Sequence, residues 1–338
     1  METRKLQEVG GGTFTVSIPK EWATSHGFEV GMELRLYTHR DGSILVRSSA
    51  ADVDCLDDAT VDVDGGTEAV KRAVRSAHGL GFETIRLRRA SPFPDSERRA
   101  VRSAVRDLVG TNILSESDTE ITIRHLLDTS SVSVCQSVVQ LQYLVAALLR
   151  DATRAFVDAA DARARIRDRA DEAHRSADMV TRHFSRSLVS HAELDELDVA
   201  RAELFAYYAT ARRLKTAADQ AVRIASVGET LSEPPANETA ADVRAAADDV
   251  AGAVDDAVTA VLSGDAAEAR RARVECDDAA DGVEAIKRRV YDGSVSTSVP
   301  AAVALSDVLS HLQRAAECGR GVADVAARTA IRAANTDG

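Results

Sequence analysis

The stretch VVQLQYLVAALLRDATRAFVDA, from Val138 to Ala159, opens the part of the chain that decides the fold. Its apolar residues recur at alternating intervals of three and four, which places them along one face of an α-helix. Two further runs up to Ala225 repeat this spacing, so the sequence predicts three helices packed nearly side by side. The apolar positions are Val138, Leu141, Val145, Leu148, Ala152, Ala155 and Ala159; Ile166, Ala170, Ala173, Ala177, Val180 and Phe184; and Leu204, Tyr207, Ala211, Leu214, Ala218, Ala221 and Ala225.

A second block, from Val243 to Ala333, has the same organisation and predicts three more helices. The segment Ser232-Glu233-Pro234-Pro235-Ala236-Asn237 separates the two blocks and contains helix breakers. The two triplets indicate an internal duplication, and a chance likeness between two Ala-rich bundles is the alternative. The apolar positions of the second block are Val243, Ala247, Val250, Val254, Ala257 and Val261; Ala269, Ala272, Cys276, Ala279, Val283, Ile286 and Val290; and Leu305, Val308, Leu312, Ala315, Gly319, Val322 and Ala326.

The composition points to Ala- and Val-filled cores and an acidic surface. The 338 residues suffice for two or three domains, and 45% are hydrophobic while only 4% are aromatic. The net charge is -12, and the lysines are few: Lys5, Lys20, Lys71, Lys215 and Lys287. This balance resembles that of proteins from salt-loving archaea, and GC-rich codon usage combined with a solvated acidic surface is the alternative.

The four cysteines, Cys55, Cys135, Cys276 and Cys318, stand too far apart for a C-x-x-C metal or redox motif. Cys276 falls on an apolar stripe, which predicts a core position. The N-terminus does not resemble a signal peptide, and no run approaches the ~20 apolar residues of a membrane span. We therefore expect a cytoplasmic protein without membrane insertion.

Residues 4–47 alternate between strand and turn signals. Phe14, Val16 and Ile18 share one face of a strand that ends at Pro19, and a short helix follows up to Gly27. A turn at Asp41-Gly42 joins two further strands into a hairpin.

This N-terminal segment resembles the AbrB/SpoVT family in the pattern Arg4-Lys5, a Gly-rich turn, Val16-Ser17-Ile18-Pro19-Lys20-Glu21-Trp22, Gly27, Gly31-Met32-Glu33-Leu34 and Asp41-Gly42-Ser43. The resemblance implies a swapped-hairpin β-barrel built by a homodimer. It also implies DNA binding, with Arg4, Lys5 and Lys20 as phosphate contacts. Bacterial members often carry an Arg in the turn where this chain has Gly11 and Gly12. A domain that only dimerises is therefore the alternative.

Residues 51–130 predict a small α+β domain of order β-α-β-α-β-β. Thr67 and Asp95 are the expected N-caps of its two helices. Arg86, Arg88 and Arg89 cluster on and after a strand, which favours either a second DNA contact or a solvated strand edge.

The helical blocks resemble the PhoU family of phosphate-uptake regulators, which consist of two tandem three-helix repeats. The predicted fold is therefore multidomain and mainly α. It comprises the AbrB-like barrel at 1–50, the α+β domain at 51–130, and PhoU-like repeats at 131–230 and 236–335.

PhoU-family proteins often bind metals through Glu-x-x-x-Asp on the third helix of each repeat, together with acidic residues on the second helix. Here Lys215 and Gln313 replace the Glu of both motifs. Lys215 is one turn from Asp219, which predicts an ion pair. The resemblance still implies a divalent or iron-type metal on the bundle face, and solvated surface carboxylates are the alternative. The candidate ligands are Asp171, His174, Asp178, Asp219, Asp277, Asp281, Glu284 and Glu317.

The remaining sequence predicts no catalytic constellation. His125, His183, His191 and His311 have no triad or zinc spacing, and we expect them at the surface or its boundary. The resemblances together imply a dimeric DNA-binding regulator of phosphate uptake, whose bundle senses a signal or docks a transporter ATPase subunit or a signalling protein. A scaffold that does not bind DNA and a metal-binding bundle are the alternatives.

Overall fold

The computed structural model describes residues 3–38, 42–48, 56–190, 192–229, 234–295 and 298–336. The chain forms two compact units, Met1–Asp54 and Cys55–Gly338. Asp41 of the predicted turn, Cys55, His191, and Ser232 and Glu233 of the predicted breaker lie outside the described residues.

The first unit contains two hairpins and one short helix. Strands β1 (Gln7–Val9) and β2 (Thr13–Thr15) pair antiparallel, and Gly10 and Gly11 make the turn between them with positive φ angles of 69° and 76°. Helix α1 (Lys20–Ser25) follows, and strands β3 (Leu34–Thr38) and β4 (Ile44–Ser48) form the second hairpin. Within one chain the described strands form two separate two-stranded sheets. The swapped barrel, which requires a second chain, stays a prediction.

The second unit begins with an α+β domain. Strands β5 (Asp58–Asp62), β6 (Thr84–Arg88), β7 (Thr111–Glu116) and β8 (Glu120–His125) form a sheet of order β5-β6-β8-β7. Only the β5–β6 pair is parallel, because helix α2 (Thr67–Leu80) crosses over between these strands. Helix α3 (Asp95–Arg106) packs beside α2, and their Val and Ala side chains form one core with the sheet.

The predicted caps of α2 and α3 are wrong. Thr67 and Asp95 are the first helical residues, and the N-cap positions belong to Gly66 and Pro94, neither of which makes a side-chain cap. The buried carboxylate of Glu97 takes over at α2, where its Oε1 accepts a hydrogen bond of 2.7 Å from the Gly66 amide. A tertiary contact thus replaces the local cap.

Among the described residues after β8 there are six long helices, and all six helices predicted from the periodicity are present. They are α4 (Val134–Val157), α5 (Arg163–Ser187) and α7 (Arg201–Gly228) in the first block, and α8 (Asn237–Ser263), α9 (Ala266–Tyr291) and α10 (Val299–Thr336) in the second. The short helix α6 (Ala192–Glu196), which the sequence did not predict, lies between α5 and α7.

The two triplets share one continuous hydrophobic core. Helix α4 packs against α8 and α7 against α10, so the first and third helices of each block meet their counterparts, while α5 and α9 flank them. Small side chains allow this close approach. A Cβ atom on Gly319 of α10 would lie only 2.9 Å from Sγ of Cys276, which is fully buried as predicted. The helices therefore form a six-helix bundle rather than two independent bundles.

Candidate functional site

The three predicted DNA contacts are exposed on the first unit. Arg4 and Lys5 precede β1, and Lys20 is the first residue of α1. Lys5 and Lys20 make no ion pair or hydrogen bond with any described residue. Their ammonium groups are therefore available to an external anion. Their role in DNA binding stays a prediction.

The first unit has almost no core of its own. Among its described residues only Ser48 is buried. Phe14, Val16 and Ile18, the apolar face predicted for the second strand, are 67%, 58% and 43% exposed. A module of this size with its apolar side chains in solvent needs a partner surface to be stable.

The arginine cluster of the α+β domain is neutralised by acidic partners. Arg86 pairs with Asp58 at 3.1 Å and Arg88 pairs with Glu120 at 2.9 Å, both across the sheet. Arg89 lies 3.4 Å from the buried Glu97. Each of the three thus makes an ion pair within the chain. Because β6 pairs with a strand on both sides, the predicted strand edge is wrong, and Arg86 and Arg88 lie instead on a solvated face of the sheet.

In the first repeat, the predicted metal ligands make ion pairs within the chain. Lys215 Nζ lies 2.5 Å from Oδ1 of Asp178 on α5, and not beside Asp219 as its spacing predicted. Nε2 of His174 lies 3.0 Å from Oδ1 of Asp219, although the ring is not aligned for a hydrogen bond, and Nδ1 lies 3.9 Å from Asp171. The Lys215 ammonium group therefore already pairs with Asp178, one of the carboxylates that a metal ion would need as a ligand.

In the second repeat, two of the predicted metal ligands also pair with arginines of the chain. Asp277 pairs with Arg320 at 2.5 Å and with Arg273 at 3.3 Å. Glu284 lies 3.6 Å from Arg288, while Asp281 and Glu317 are exposed. Throughout the described part of the chain, no three His, Cys, Asp or Glu side chains converge to hold one metal ion. The predicted metal role therefore stays a prediction.

A buried ion-pair cluster, which the sequence did not predict, joins the bundle to the α+β domain. Arg182 of α5 donates hydrogen bonds of 2.9 Å to the carbonyl oxygens of His78 and Phe82, and Arg186 donates one of 2.8 Å to the carbonyl of Gly81. Arg186 also pairs with Glu193 of α6 at 2.8 Å. The guanidinium groups of Arg182 and Arg186 thus contact the C-terminal end of α2, where the helix dipole favours positive charge. We call Arg182, His183, Arg186 and Glu193 the joint.

Of the histidines expected at the surface or its boundary, His125 and His311 are half-buried, as a boundary position implies, and His183 is the exception. His183 is 1% exposed, and its Nδ1 lies 2.6 Å from Oε1 of Glu193. Burial, reinforced by the charge of Arg182, lowers the pKa of His125 to about 3 and holds the pKa of buried His78 well below its usual value. Burial raises the pKa of Glu193, but hydrogen bonds from His183 and Arg186 outweigh this effect, and the pKa is lowered. The cluster therefore contains charged arginines and a carboxylate beside neutral His78 and His125.

Two comparisons with known proteins bear on the chain. Residues 7–52 match the family model described as "Antidote-toxin recognition MazE, bacterial antitoxin". A search of the curated proteins finds no match. None of the described helices is long and apolar enough to cross a lipid bilayer. The matched segment covers both hairpins and the helix between them, so the N-terminus of this chain carries a MazE/AbrB-like domain.

Proposed function

We propose that the chain is a DNA-binding transcriptional regulator that acts as a homodimer through its N-terminal unit. The observation that carries the proposal is the MazE/AbrB-like domain at residues 7–52, which is consistent with DNA binding and dimerisation. The exposed face of Phe14, Val16 and Ile18 supports the dimer, because a second copy of the same hairpin would bury it.

In this proposal Arg4, Lys5 and Lys20 contact DNA phosphates. Residues 1–50 contain six Lys and Arg and six Asp and Glu, so this segment is neutral while residues 51–338 carry the whole net charge of -12. A polyanion is repelled least by residues 1–50, and the exposed ammonium groups of Lys5 and Lys20 are the groups that would replace its counterions.

The bundle then serves as a sensing or docking module. Its resemblance to the PhoU family is the support for a role in phosphate uptake, with a transporter ATPase subunit or a signalling protein as the partner. The duplicated helical pattern and the pairing of α4 with α8 and α7 with α10 support the resemblance. In this proposal the Lys215–Asp178 and Arg320–Asp277 pairs take the place of bound metal.

A scaffold that does not bind DNA is the second candidate. The glycines at positions 11 and 12, where related turns carry an Arg, favour it, and so does the neutral charge of residues 1–50. Both candidates include the dimer, so only a DNA measurement separates them. A metal-binding bundle is the third candidate and is distinguished by metal analysis of protein purified without chelator.

The test is selection of bound fragments from a genomic DNA pool at molar potassium chloride. We expect wild type to enrich discrete fragments and the Lys5→Ala/Lys20→Ala variant to enrich none. The control variant Lys287→Ala/Arg314→Ala removes the same charge from the bundle and should behave as wild type. If wild type is folded and dimeric but enriches no fragment, we would conclude that the chain is a scaffold that does not bind DNA.

A further inference from the structure

One end of the bundle contains a cavity of about 380 Å³. It lies where the first turns of α7, the last turn of α8 and the C-terminal turns of α10 meet. Phe205, Val261, Leu262 and Val325 supply an apolar lining. Its volume falls in the range of sites that hold small organic ligands, and such sites combine an apolar wall with few polar groups.

The polar groups of this cavity favour an anion. Arg328 and Arg332 project from successive turns of α10, and Glu203 of α7 is the acidic side chain of the lining. Oε1 of Glu203 already accepts a hydrogen bond of 2.6 Å from the hydroxyl of Tyr207. The lining therefore carries two positive charges against one negative charge, in a chain whose net charge is -12.

Arg328 is the group best placed to receive a ligand. Its side chain is exposed at the cavity and makes no ion pair or hydrogen bond with any described residue. In contrast, Arg86, Arg88, Arg182, Arg186 and Arg320 of the second unit each contact a carboxylate or a carbonyl oxygen within the chain. A guanidinium offers paired N–H donors that match the two oxygens of a carboxylate or sulfonate.

We propose that this cavity binds a small organic anion with an aromatic or branched aliphatic body. The body fills the space between Phe205, Val261 and Val325, and the anionic group binds Arg328. Inorganic phosphate alone does not fit this chemistry, because it would leave the apolar lining unfilled. The proposal goes beyond the DNA-binding function and does not depend on it.

The test uses the full chain and the probe 8-anilino-1-naphthalenesulfonate, an aromatic anion that fluoresces in apolar surroundings. We expect saturable binding to wild type and an affinity lower by about tenfold or more in Arg328→Gln, because a charge-assisted contact is lost. Arg314→Gln, which removes an exposed arginine from another part of α10, should bind as wild type.

A second variant and an uncharged dye separate the apolar contribution from the charge. Ala202→Phe places an aromatic ring in the cavity and should abolish binding of both the sulfonate and the uncharged dye Nile red. Arg328→Gln should still bind Nile red, because this dye has no anionic group. Circular dichroism and the melting temperature confirm that each variant is folded. The proposal is overturned if wild type shows no saturable binding, or if Arg328→Gln and Ala202→Phe bind the sulfonate as tightly as Arg314→Gln.

Discussion

The ammonium nitrogen of Lys215 on α7 lies 2.5 Å from Oδ1 of Asp178 on α5. This contact places a side-chain cation among carboxylates that the PhoU resemblance assigns to a metal. An ammonium group satisfies one carboxylate, whereas a divalent ion needs several oxygen ligands. The ion pair therefore offers a direct way to test what the bundle face binds.

Lys215→Glu should increase the affinity of the bundle for a divalent cation. The substitution removes the competing ammonium and adds a carboxylate one turn from Asp219 and close to Asp178. Isothermal titration with Mn²⁺ measures the change, and Lys287→Glu serves as the control because it makes the same charge change elsewhere. Equal affinity for Mn²⁺ in wild type and both variants would show that Lys215 does not control metal binding on this face of the bundle.

The joint should be a large contributor to the stability of the second unit. Glu193 is 1% exposed, and removing it leaves Arg186 as a buried cation without its carboxylate partner on α6. We expect Glu193→Ala to lower the free energy of unfolding by about 3–5 kcal/mol, measured by urea denaturation. Glu317→Ala removes an exposed carboxylate and should change it by less than about 0.5 kcal/mol. A small effect of Glu193→Ala would contradict the structural role of the joint.

Acid should destabilise the second unit before its carboxylates titrate. The folded-state pKa values of His78 and His125 are lowered, so the unfolded chain binds more protons once the pH falls below about 6.5. Stability is therefore lost as the pH falls from about 6.5 toward the folded pKa values. At pH 5 the loss from buried His78 has an upper bound of about 2 kcal/mol, and water screening makes the loss from half-buried His125 smaller.

The variant His78→Phe isolates this effect. Neither ring nitrogen of His78 has a hydrogen-bond partner, so a phenyl ring replaces it without leaving another polar group unpaired. The melting temperature of the variant should depend less on pH between 6.5 and 5 than that of wild type. Identical slopes for the two proteins would assign the acid sensitivity to other groups.

Two helix glycines should respond oppositely to alanine. A Cβ at Gly319 would meet Sγ of Cys276 at 2.9 Å and Cγ2 of Val254 at 3.1 Å, so Gly319→Ala should cost about 1–3 kcal/mol of stability. Nothing lies within 4 Å of a Cβ at Gly282 on α9, and Gly282→Ala should stabilise by up to about 1 kcal/mol through helix propensity. Thermal unfolding of the two variants measures both effects. Stabilisation by Gly319→Ala would mean that α9 and α10 are less closely packed than the distances above indicate.

The helices were predictable because periodicity records which side of each helix is buried. The joint was not, because it brings together Arg182 and His78, about a hundred positions apart, and no local pattern indicates which polar residue on a helix will meet another element. The same reason explains why the ion-pair partner of Lys215 was not predicted. Its four-residue spacing predicted an ion pair with Asp219, but the packing of α5 against α7 brings Lys215 to Asp178. The N-terminal motif identified its domain because turns and strand ends constrain residue types directly.

The proposed homodimer should depend on the apolar face of the first unit. Phe14→Asp places a charge on that face and should convert the dimer to a monomer in light-scattering measurements. Tyr143 of α4 is equally exposed at 67%, and Tyr143→Asp should leave the mass unchanged. A dimeric Phe14→Asp variant would place the dimer contact elsewhere.

The most direct test of the account is the salt dependence of DNA binding, measured by fluorescence anisotropy with an enriched fragment. Each phosphate contact contributes about 0.9 to the slope of log affinity against log salt. Lys5→Ala/Lys20→Ala removes up to two contacts from each protomer, so the slope of a dimer should fall in magnitude by as much as about 3.6. Lys287→Ala/Arg314→Ala should retain the wild-type slope. Equal slopes and affinities in all three proteins would contradict DNA contact through the N-terminal unit.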